Sequence, residues 1–152
     1  GCGGPSAFTN ADPNAFVDAH NAVRAHASPA PSPALPPLQW SNELESVAQA
    51  WSARCVFEHS HNQYGENIAY FSGDASTPQD VVDAWASEVK DYDLASNTCA
   101  ADAQCGHYTQ IVWRGTERVG CGASKCHIDG QDVVFWVCNY DPPGNIIGQK
   151  PY

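Results

Sequence analysis

The stretch VVFWVCNY, residues 133–140, decides the fold. Successive side chains of an extended chain point to opposite faces. One face then carries Val133, Phe135 and Val137, and the other carries Val134, Trp136 and Tyr140. A strand that is apolar on both faces is covered on both faces. The stretch therefore predicts a central strand between two layers of other elements.

The residues before this strand predict its partner. Asp129-Gly130 is a turn signal of β-hairpins, and with a two-residue turn Ile128 lies opposite Gln131. Counting back along both strands places Cys121 opposite Cys138, at a non-hydrogen-bonded position where side chains lie closest. The register and a disulfide between these cysteines support each other, although a longer turn would break the count.

Three upstream segments have the periodicity of amphipathic helices, at residues 13–26, 42–54 and 78–90. Residues 27–37 hold five prolines and are expected to form a loop. Helices on both faces of a covered sheet give an α+β fold, a three-layer α-β-α sandwich with a central, mostly antiparallel sheet. We expect a flexible tail at residues 1–13 and a single domain at residues 14–152.

Capping residues predict where two of the helices start. Asn42 and Glu45 can form a capping box at the second helix, with Asn in place of the usual Ser or Thr. Thr77 is the expected N-cap of the third helix, with Asp80 in its first turn. The buried stripe of the third helix is expected to consist of Val81, Trp85 and Val89.

Charge and composition exclude several classes of partner. The formal net charge is −10, with only seven Lys and Arg residues, so a nucleic-acid backbone or an anionic membrane surface would be repelled. No apolar run reaches the roughly 18 residues of a transmembrane helix. No intact signal peptide is visible, and we expect that any targeting segment has been removed. We expect a monomer.

The seven cysteines indicate an oxidising compartment. So many thiols are unusual in a short chain that is kept reduced. Metal clusters usually show paired C-x-x-C spacings, and the sequence contains none. We therefore expect six of the cysteines to form three disulfides, with one cysteine left over.

Glu88 is the most informative candidate for chemistry, because it follows Trp85 by three residues and projects from the apolar face of the third helix. A buried carboxylate is costly unless it is paired, hydrogen-bonded or metal-bound. The alternative is a Glu at a helix end that reaches solvent. The other candidates, whose imidazoles and carboxylate suit zinc, are His59, His61, Glu66 and His107. Isolated histidines are also common as hydrogen-bonded structural residues.

Other polar residues are weaker candidates. Three histidines without a partner pattern are expected to be structural or exposed, namely His20, His26 and His127. Ser60 follows His59 and could be a nucleophile with a His base. Adjacent residues rarely direct their side chains to one point, and no G-x-S-x-G elbow occurs. A serine hydrolase is therefore disfavoured.

Five stretches, in order from residue 20 to residue 152, together resemble the CAP superfamily of cysteine-rich secretory, antigen five and pathogenesis-related proteins. They are HNAVR (20–24), GENIA (65–69), GHYTQIVW (106–113), VCNYDPPGN (137–145) and GQKPY (148–152). The last stretch is similar to the terminus of the plant pathogenesis-related group. The resemblance implies an α-β-α sandwich, in agreement with the fold that the strand and helix patterns predict.

The resemblance also implies a cleft with two histidines and two glutamates. By motif position these are His59, Glu66, Glu88 and His107. The histidines are the implied ligands of zinc or another divalent cation, and the glutamates orient them or hold a water. Family members have this cleft without an agreed catalytic activity. We therefore assign no catalytic residue and do not expect an enzyme.

The plant-like cysteine pattern implies the disulfides Cys55–Cys126, Cys99–Cys105 and Cys121–Cys138. The third pair agrees with the hairpin register. Cys2 falls outside the pattern, and its context GCGG resembles the site where bacterial lipoproteins are cleaved and acylated. The alternative is an N-terminal thiol without a role.

From the resemblance we expect a secreted, extracellular binding protein or defence-type effector. Sterols or other apolar lipids are the implied ligand class. A metal-dependent hydrolase that uses the same four cleft residues is one alternative. A second alternative is a precursor whose C-terminal segment, residues 142–152, is released as a signalling peptide.

Overall fold

The computed structural model describes residues 11–152 and contains a four-stranded and a two-stranded sheet. The strands are β1 (Gln39–Trp40), β2 (Gly65–Ser72), β3 (Tyr92–Asp93), β4 (Thr98–Cys99), β5 (Arg118–Ile128) and β6 (Gln131–Asp141). The larger sheet has the order β1-β5-β6-β2, and β3 pairs with β4. Within the larger sheet β1 runs parallel to β5 and the other pairs are antiparallel. The prediction of a mostly antiparallel central sheet is confirmed.

Helices cover this sheet on both faces. They are α1 (Pro13–Ala25), α2 (Asn42–Ser52), α3 (Pro78–Ala86) and α4 (Gly106–Ile111), with a 3₁₀ turn at Ser87–Asp91. Helix α2 packs on β5 and β6 from one side, and α1, α3 and α4 pack together on the other. The predicted three-layer sandwich is confirmed. Within residues 11–152 no helix is long and apolar enough to cross a membrane.

Strand β6 contributes to a different core on each face, as its sequence predicts. Trp136 and Tyr140 lie in a large core that includes Phe16 of α1 and residues of α3 and α4. Phe135 and Val137 lie in a smaller core with residues of α2 and β2. All four of these β6 side chains are fully buried.

The β5–β6 hairpin has the predicted register. Ile128 pairs with Gln131, and Cys121 pairs with Cys138. The two turn residues, Asp129 and Gly130, both have positive φ, 53° and 78°. Positive φ at both central positions is characteristic of a two-residue hairpin turn. The count back from the turn is therefore correct.

The three expected disulfides are present. Cys55–Cys126 ties the chain after α2 to β5, Cys99–Cys105 ties β4 to the start of α4, and Cys121–Cys138 joins β5 to β6. Cys2 and its predicted lipidation lie outside the described residues.

Helix α2 begins differently from the prediction. Its N-cap is Ser41, whose Oγ accepts a hydrogen bond from Leu44 N over 3.2 Å. The predicted capping box of Asn42 and Glu45 is wrong, because Ser41 is the last residue with extended backbone and Asn42 is already helical. The Glu45 carboxylate instead accepts a hydrogen bond from Trp40 Nε1.

Helix α3 starts as predicted and ends earlier. Thr77 and Asp80 form a reciprocal capping box. The α-helix stops at Ala86, and the chain continues to Asp91 as a 3₁₀ turn. A 3₁₀ turn has three residues per turn, so the side chains after Ala86 rotate away from the α-helical stripe. Val89 is 36% exposed for this reason, and its predicted burial is wrong.

Candidate metal-binding cleft

Glu66 and His59 form the first half of the cleft. Glu66 lies at the start of β2, and its side chain is 6% exposed. Its Oε1 accepts hydrogen bonds from His59 Nδ1 (3.0 Å) and Ser60 N (2.8 Å). Its Oε2 accepts hydrogen bonds from Ser60 Oγ (2.5 Å) and Asn139 Nδ2 (3.2 Å). The carboxylate thus holds the chain around His59 against the sheet.

Glu88 and His107 form the second half. Glu88 lies in the 3₁₀ turn after α3, and its side chain is 14% exposed. Its Oε1 accepts from the backbone N–H groups of His107 and Tyr108, each over 3.0 Å, and its Oε2 accepts from His107 Nδ1 over 2.6 Å. The alternative of a solvent-facing Glu88 is therefore wrong. The Trp85 ring stacks on the His107 ring with centroids 5.8 Å apart.

The two halves meet at one cleft of about 310 Å³. His59, Glu66 and His107 line it, while Glu88 lies behind His107. A neighbouring cavity of about 490 Å³ shares His59 and Glu66 and is also lined by His61. The fold thus brings His59 and His107 together although 48 positions separate them. His61 is exposed and does not line the smaller cleft.

The hydrogen bonds determine which nitrogen of each ring is free. An ionised carboxylate only accepts hydrogen bonds, so Nδ1 of His59 donates to Glu66 and Nδ1 of His107 donates to Glu88. A neutral imidazole with a hydrogen on Nδ1 has a lone pair on Nε2. Neither Nε2 atom forms a hydrogen bond with another residue in the described part of the chain. Both rings can therefore offer Nε2 to a ligand.

Few side chains of the cleft are available to bind a metal ion. Within residues 11–152 no three His, Cys, Asp or Glu side chains come together in a way that could hold a metal ion. The carboxylates of Glu66 and Glu88 are occupied by hydrogen bonds with the protein. The donor set therefore fits two imidazole ligands, with each Glu as the partner that orients one ring.

Ser60 is not activated as a nucleophile. Its hydroxyl donates to Glu66 Oε2 rather than to an imidazole. A Ser–His–acid arrangement requires the serine hydroxyl to donate to the histidine. The geometry instead gives Ser60 the role of holding Glu66.

Several residues around the cleft carry almost no signal in the sequence pattern. Asn67 donates to the carbonyl of His107 and to the Tyr140 hydroxyl. Asn139 donates to Glu66, and Asn145 lines the cleft. Each is a polar residue within a family-like stretch, but its partner comes from a distant part of the chain. Alternation along β2 places Asn67 on the opposite face from Glu66 and is the one local clue.

The remaining histidines are structural or exposed, as predicted. His20 is fully buried, donates from Nδ1 to the Phe16 carbonyl and accepts at Nε2 from the Tyr140 hydroxyl. Burial lowers the pKa of His20 to about 4, and the nearby Arg24 charge acts in the same direction. The exposed residues are His26, which bonds to the Ala22 carbonyl, and His127, which pairs with Asp132.

This chain is similar in sequence to a known protein family and to a plant protein. Residues 17–140 match the model of the cysteine-rich secretory protein family, CAP. Pathogenesis-related protein 1B of Nicotiana tabacum is 48% identical over 141 residues, which cover 90% of this chain and 79% of that protein.

Two solved structures have the same fold. Venom allergen-like protein 4 of Schistosoma mansoni has a TM-score of 0.73 at 27% identity, over 91% of this chain and 92% of that chain. NaASP2, crystallised with Zn²⁺, has a TM-score of 0.76 at 23% identity, over 100% of this chain and 88% of that chain. The likeness to NaASP2 concerns the fold alone. The family match, the tobacco relative and the shared fold together establish that this chain belongs to the cysteine-rich secretory protein family, CAP.

Proposed function

We propose that this domain is a secreted binding protein of the pathogenesis-related type and that its cleft binds a divalent cation through Nε2 of His59 and His107. The observation that carries the proposal is the matched orientation of the two rings. Each ring donates from Nδ1 to a largely buried carboxylate, Glu66 or Glu88, and keeps Nε2 for a ligand. A carboxylate behind a ligating histidine sets its tautomer and raises its basicity.

Charge and ligand type favour zinc among the divalent cations. Imidazole nitrogen suits zinc, and waters can complete a four-ligand shell. The chain carries a net charge of −10, so the field of the protein attracts a cation. Acidification should release the metal, because a protonated imidazole has no lone pair to offer.

Calorimetric titration with zinc tests this proposal. His59→Ala and His107→Ala should each abolish zinc binding, while circular dichroism should report an intact fold because neither histidine belongs to a disulfide or to a cluster of buried core residues. His127→Ala is the matched control, because it removes an exposed histidine that pairs with Asp132. Unchanged zinc affinity in both cleft variants would show that any metal binds elsewhere.

A sterol or another apolar lipid is the second ligand that we propose. A cavity of about 300 Å³ lies beneath the C-terminal segment, and its mixed lining includes the aromatic and apolar residues Tyr92, Trp113 and Ile146 beside polar residues such as Asn97 and Gln149. The neighbouring Ile147 is 99% exposed. Apolar and aromatic side chains around a concave surface are typical of sites for apolar ligands.

Salt dependence and substitution test the lipid proposal. Binding of a radiolabelled sterol should change little between low and high salt, because a sterol is uncharged and the chain, with a net charge of −10, gains nothing from charge attraction to it. Ile147→Ser should weaken binding, and Val56→Ser, which removes an exposed aliphatic residue elsewhere, should not. A steep loss of binding with added salt, or no binding to any lipid, would contradict the proposal.

A metal-dependent hydrolase is the alternative use of the cleft, in which zinc would supply Lewis acidity. Chelation distinguishes the two functions, because a hydrolase should lose turnover and a lipid binder should keep its ligand.

A peptide-precursor role remains a further alternative. The segment 142–152 is held by hydrogen bonds from Arg114 N to the Pro151 carbonyl and from Thr116 Oγ to the Pro142 carbonyl, each over 2.9 Å. A cleaved peptide would leave the domain only after these contacts break. Retention of the cleaved segment under native conditions would count against this role.

A further inference from the structure

Helix α4 carries His107 and cannot set the position of this residue alone. It has six residues, and isolated helices of that length are unstable in water. The orientation of His107 therefore depends on what holds α4 from outside. On one side Glu88 accepts hydrogen bonds from the first amides of the helix, at His107 and Tyr108.

The C-terminal segment, residues 142–152, holds α4 from the other side. Asn145 Nδ2 donates to the Gly106 carbonyl over 2.8 Å, and Asn145 Oδ1 accepts from Thr109 Oγ over 2.7 Å. Gly144 N donates to Gln110 Oε1 over 3.0 Å. Asn145 thus binds the residue directly before His107 and the residue one turn further on.

The fit between the segment and α4 is close. A Cβ added to Gly144 would stand 2.8 Å from Trp113 Cγ, so the segment reaches this position because residue 144 has no side chain. Asn145 has φ +56°, a conformation that Asn tolerates better than most residues. Asn145 lines both the cleft of His59 and His107 and the cavity beside it.

We propose that Asn145 is a positioning residue for His107 and that the docking of segment 142–152 is thermodynamically coupled to metal binding in the cleft. The coupling rests on the proposed metal function; the positioning of α4 does not. Because coupling between two equilibria is reciprocal, metal in the cleft strengthens the docking of the segment. In turn, loss of the Asn145 contacts weakens metal binding at His107.

The first experiment measures zinc affinity. Asn145→Gly removes both amide contacts and keeps a residue that adopts positive φ without strain. We expect zinc affinity to fall about 10- to 100-fold, the usual effect of removing a residue that orients a ligand. Lys150→Gln is the control, because the hydrogen bond of Lys150 joins the same segment to the Ala95 carbonyl rather than to α4. The control also removes a positive charge, which cannot lower affinity for a cation.

Amide hydrogen exchange without metal gives a readout that does not depend on the proposed function. In Asn145→Gly the amides of Tyr108 and Val112 should exchange faster than in the wild-type protein, while amides of β6 should keep their protection. In Lys150→Gln the amides of α4 should be unchanged. A general loss of stability would instead speed exchange across the sheet as well.

Exchange on the unaltered protein tests the reciprocal effect and needs no variant to fold. Added zinc should slow exchange of the Gly144 amide, which donates to Gln110.

Two results would overturn the coupling: a zinc affinity of Asn145→Gly equal to that of the wild-type protein, or no change in Gly144 exchange on zinc binding. If the wild-type protein bound no zinc, the metal function would fail. Unchanged α4 exchange in Asn145→Gly would then overturn the positioning role, and faster exchange would support it.

Discussion

Glu88 and His107 are joined twice, because the backbone N–H and the ring Nδ1 of His107 both donate to the Glu88 carboxylate, over 3.0 and 2.6 Å. The first bond fixes the start of α4, and the second fixes the tautomer of the ring. A substitution at Glu88 that still accepts from the His107 backbone but donates to Nδ1 of the ring should leave the fold intact and weaken metal binding.

Glu88→Gln should be such a change. The amide oxygen of Gln can accept from the backbone, but its NH₂ group then faces Nδ1 of His107. The ring must accept there and carry its hydrogen on Nε2, where the metal would bind. We expect zinc affinity to fall about 10- to 100-fold, with unchanged circular dichroism, as measured by calorimetry and by the ¹⁵N spectrum of the ring.

Asp83→Asn is the control for this substitution. It removes one negative charge from an exposed position of α3, where Asp83 accepts from Gln79. Wild-type affinity in Glu88→Gln, together with a retained hydrogen on Nδ1, would contradict the tautomer argument.

His20 should make stability depend on pH below neutrality. Burial lowers the pKa of His20 from its ordinary 6.5 to about 4. Between these values the unfolded chain binds a proton that the folded chain does not, so stability falls as pH drops from 6.5 to 4. The full effect is about 3 kcal/mol.

Urea unfolding at several pH values, with chelator present, measures this contribution. In His20→Gln the stability should change less over that pH window than in the wild-type protein. His26→Gln should keep the wild-type slope, because it alters an exposed histidine next to the end of the same helix. Equal slopes in wild-type protein and His20→Gln would show that other groups cause the acid sensitivity.

The three disulfides should differ in their contributions to stability. The bonded residues are 71, 17 and 6 positions apart in Cys55–Cys126, Cys121–Cys138 and Cys99–Cys105. Loop-closure entropy then gives contributions of about 4, 3 and 2 kcal/mol in that order. Paired Cys→Ala variants in a Cys2→Ser background should lose stability in this order in urea, and the reverse order would contradict the entropic account.

Gly120→Ala should destabilise the contact between α2 and β5. A Cβ at Gly120 would stand 2.2 Å from the backbone nitrogen of Glu45, and backbone cannot yield as a flexible side chain does. Overpacking of this kind costs about 1–3 kcal/mol. Gly115→Ala is the control, because its Cβ would make ordinary contacts at 3.7 Å or more. Thermal unfolding of both variants checks the difference.

The sequence predicts the sheet of this protein better than its helix ends. Residues 133–140 are apolar at nearly every position, so the strand and both of its cores could be deduced from a period of two. The hairpin register followed from Asp129-Gly130, because a two-residue turn leaves one alignment. The N-cap of α2 was misplaced by one residue, since Ser41 and Asn42 are both good caps and only the backbone distinguishes them.

The candidate site was predictable in part. His59 and His107 were candidates by residue type, and the family resemblance selected them. Glu88 was also marked as anomalous by its predicted place on an apolar stripe, although the α-helix ends before it. The contacts of Asn139 and Asn145 were not predictable, because a hydrogen bond between distant segments leaves no periodic trace in the sequence. The 3₁₀ turn that exposes Val89 was missed for a related reason. The turn contains Glu88, whose hydrogen bonds go to α4 about 20 residues further along the chain. The residues next to Glu88 in sequence do not reveal these partners.

The two-sided packing of β6 has a consequence for how the domain tolerates change. Trp136 and Phe135 are neighbours in sequence but belong to separate side-chain clusters. Substitutions in separate clusters that lie more than about 10 Å apart should combine additively, whereas substitutions in contact within one cluster should not. The sequence on one face can therefore drift, or be redesigned, without compensating changes on the other. A single strand thus carries two cores whose side chains can be altered separately.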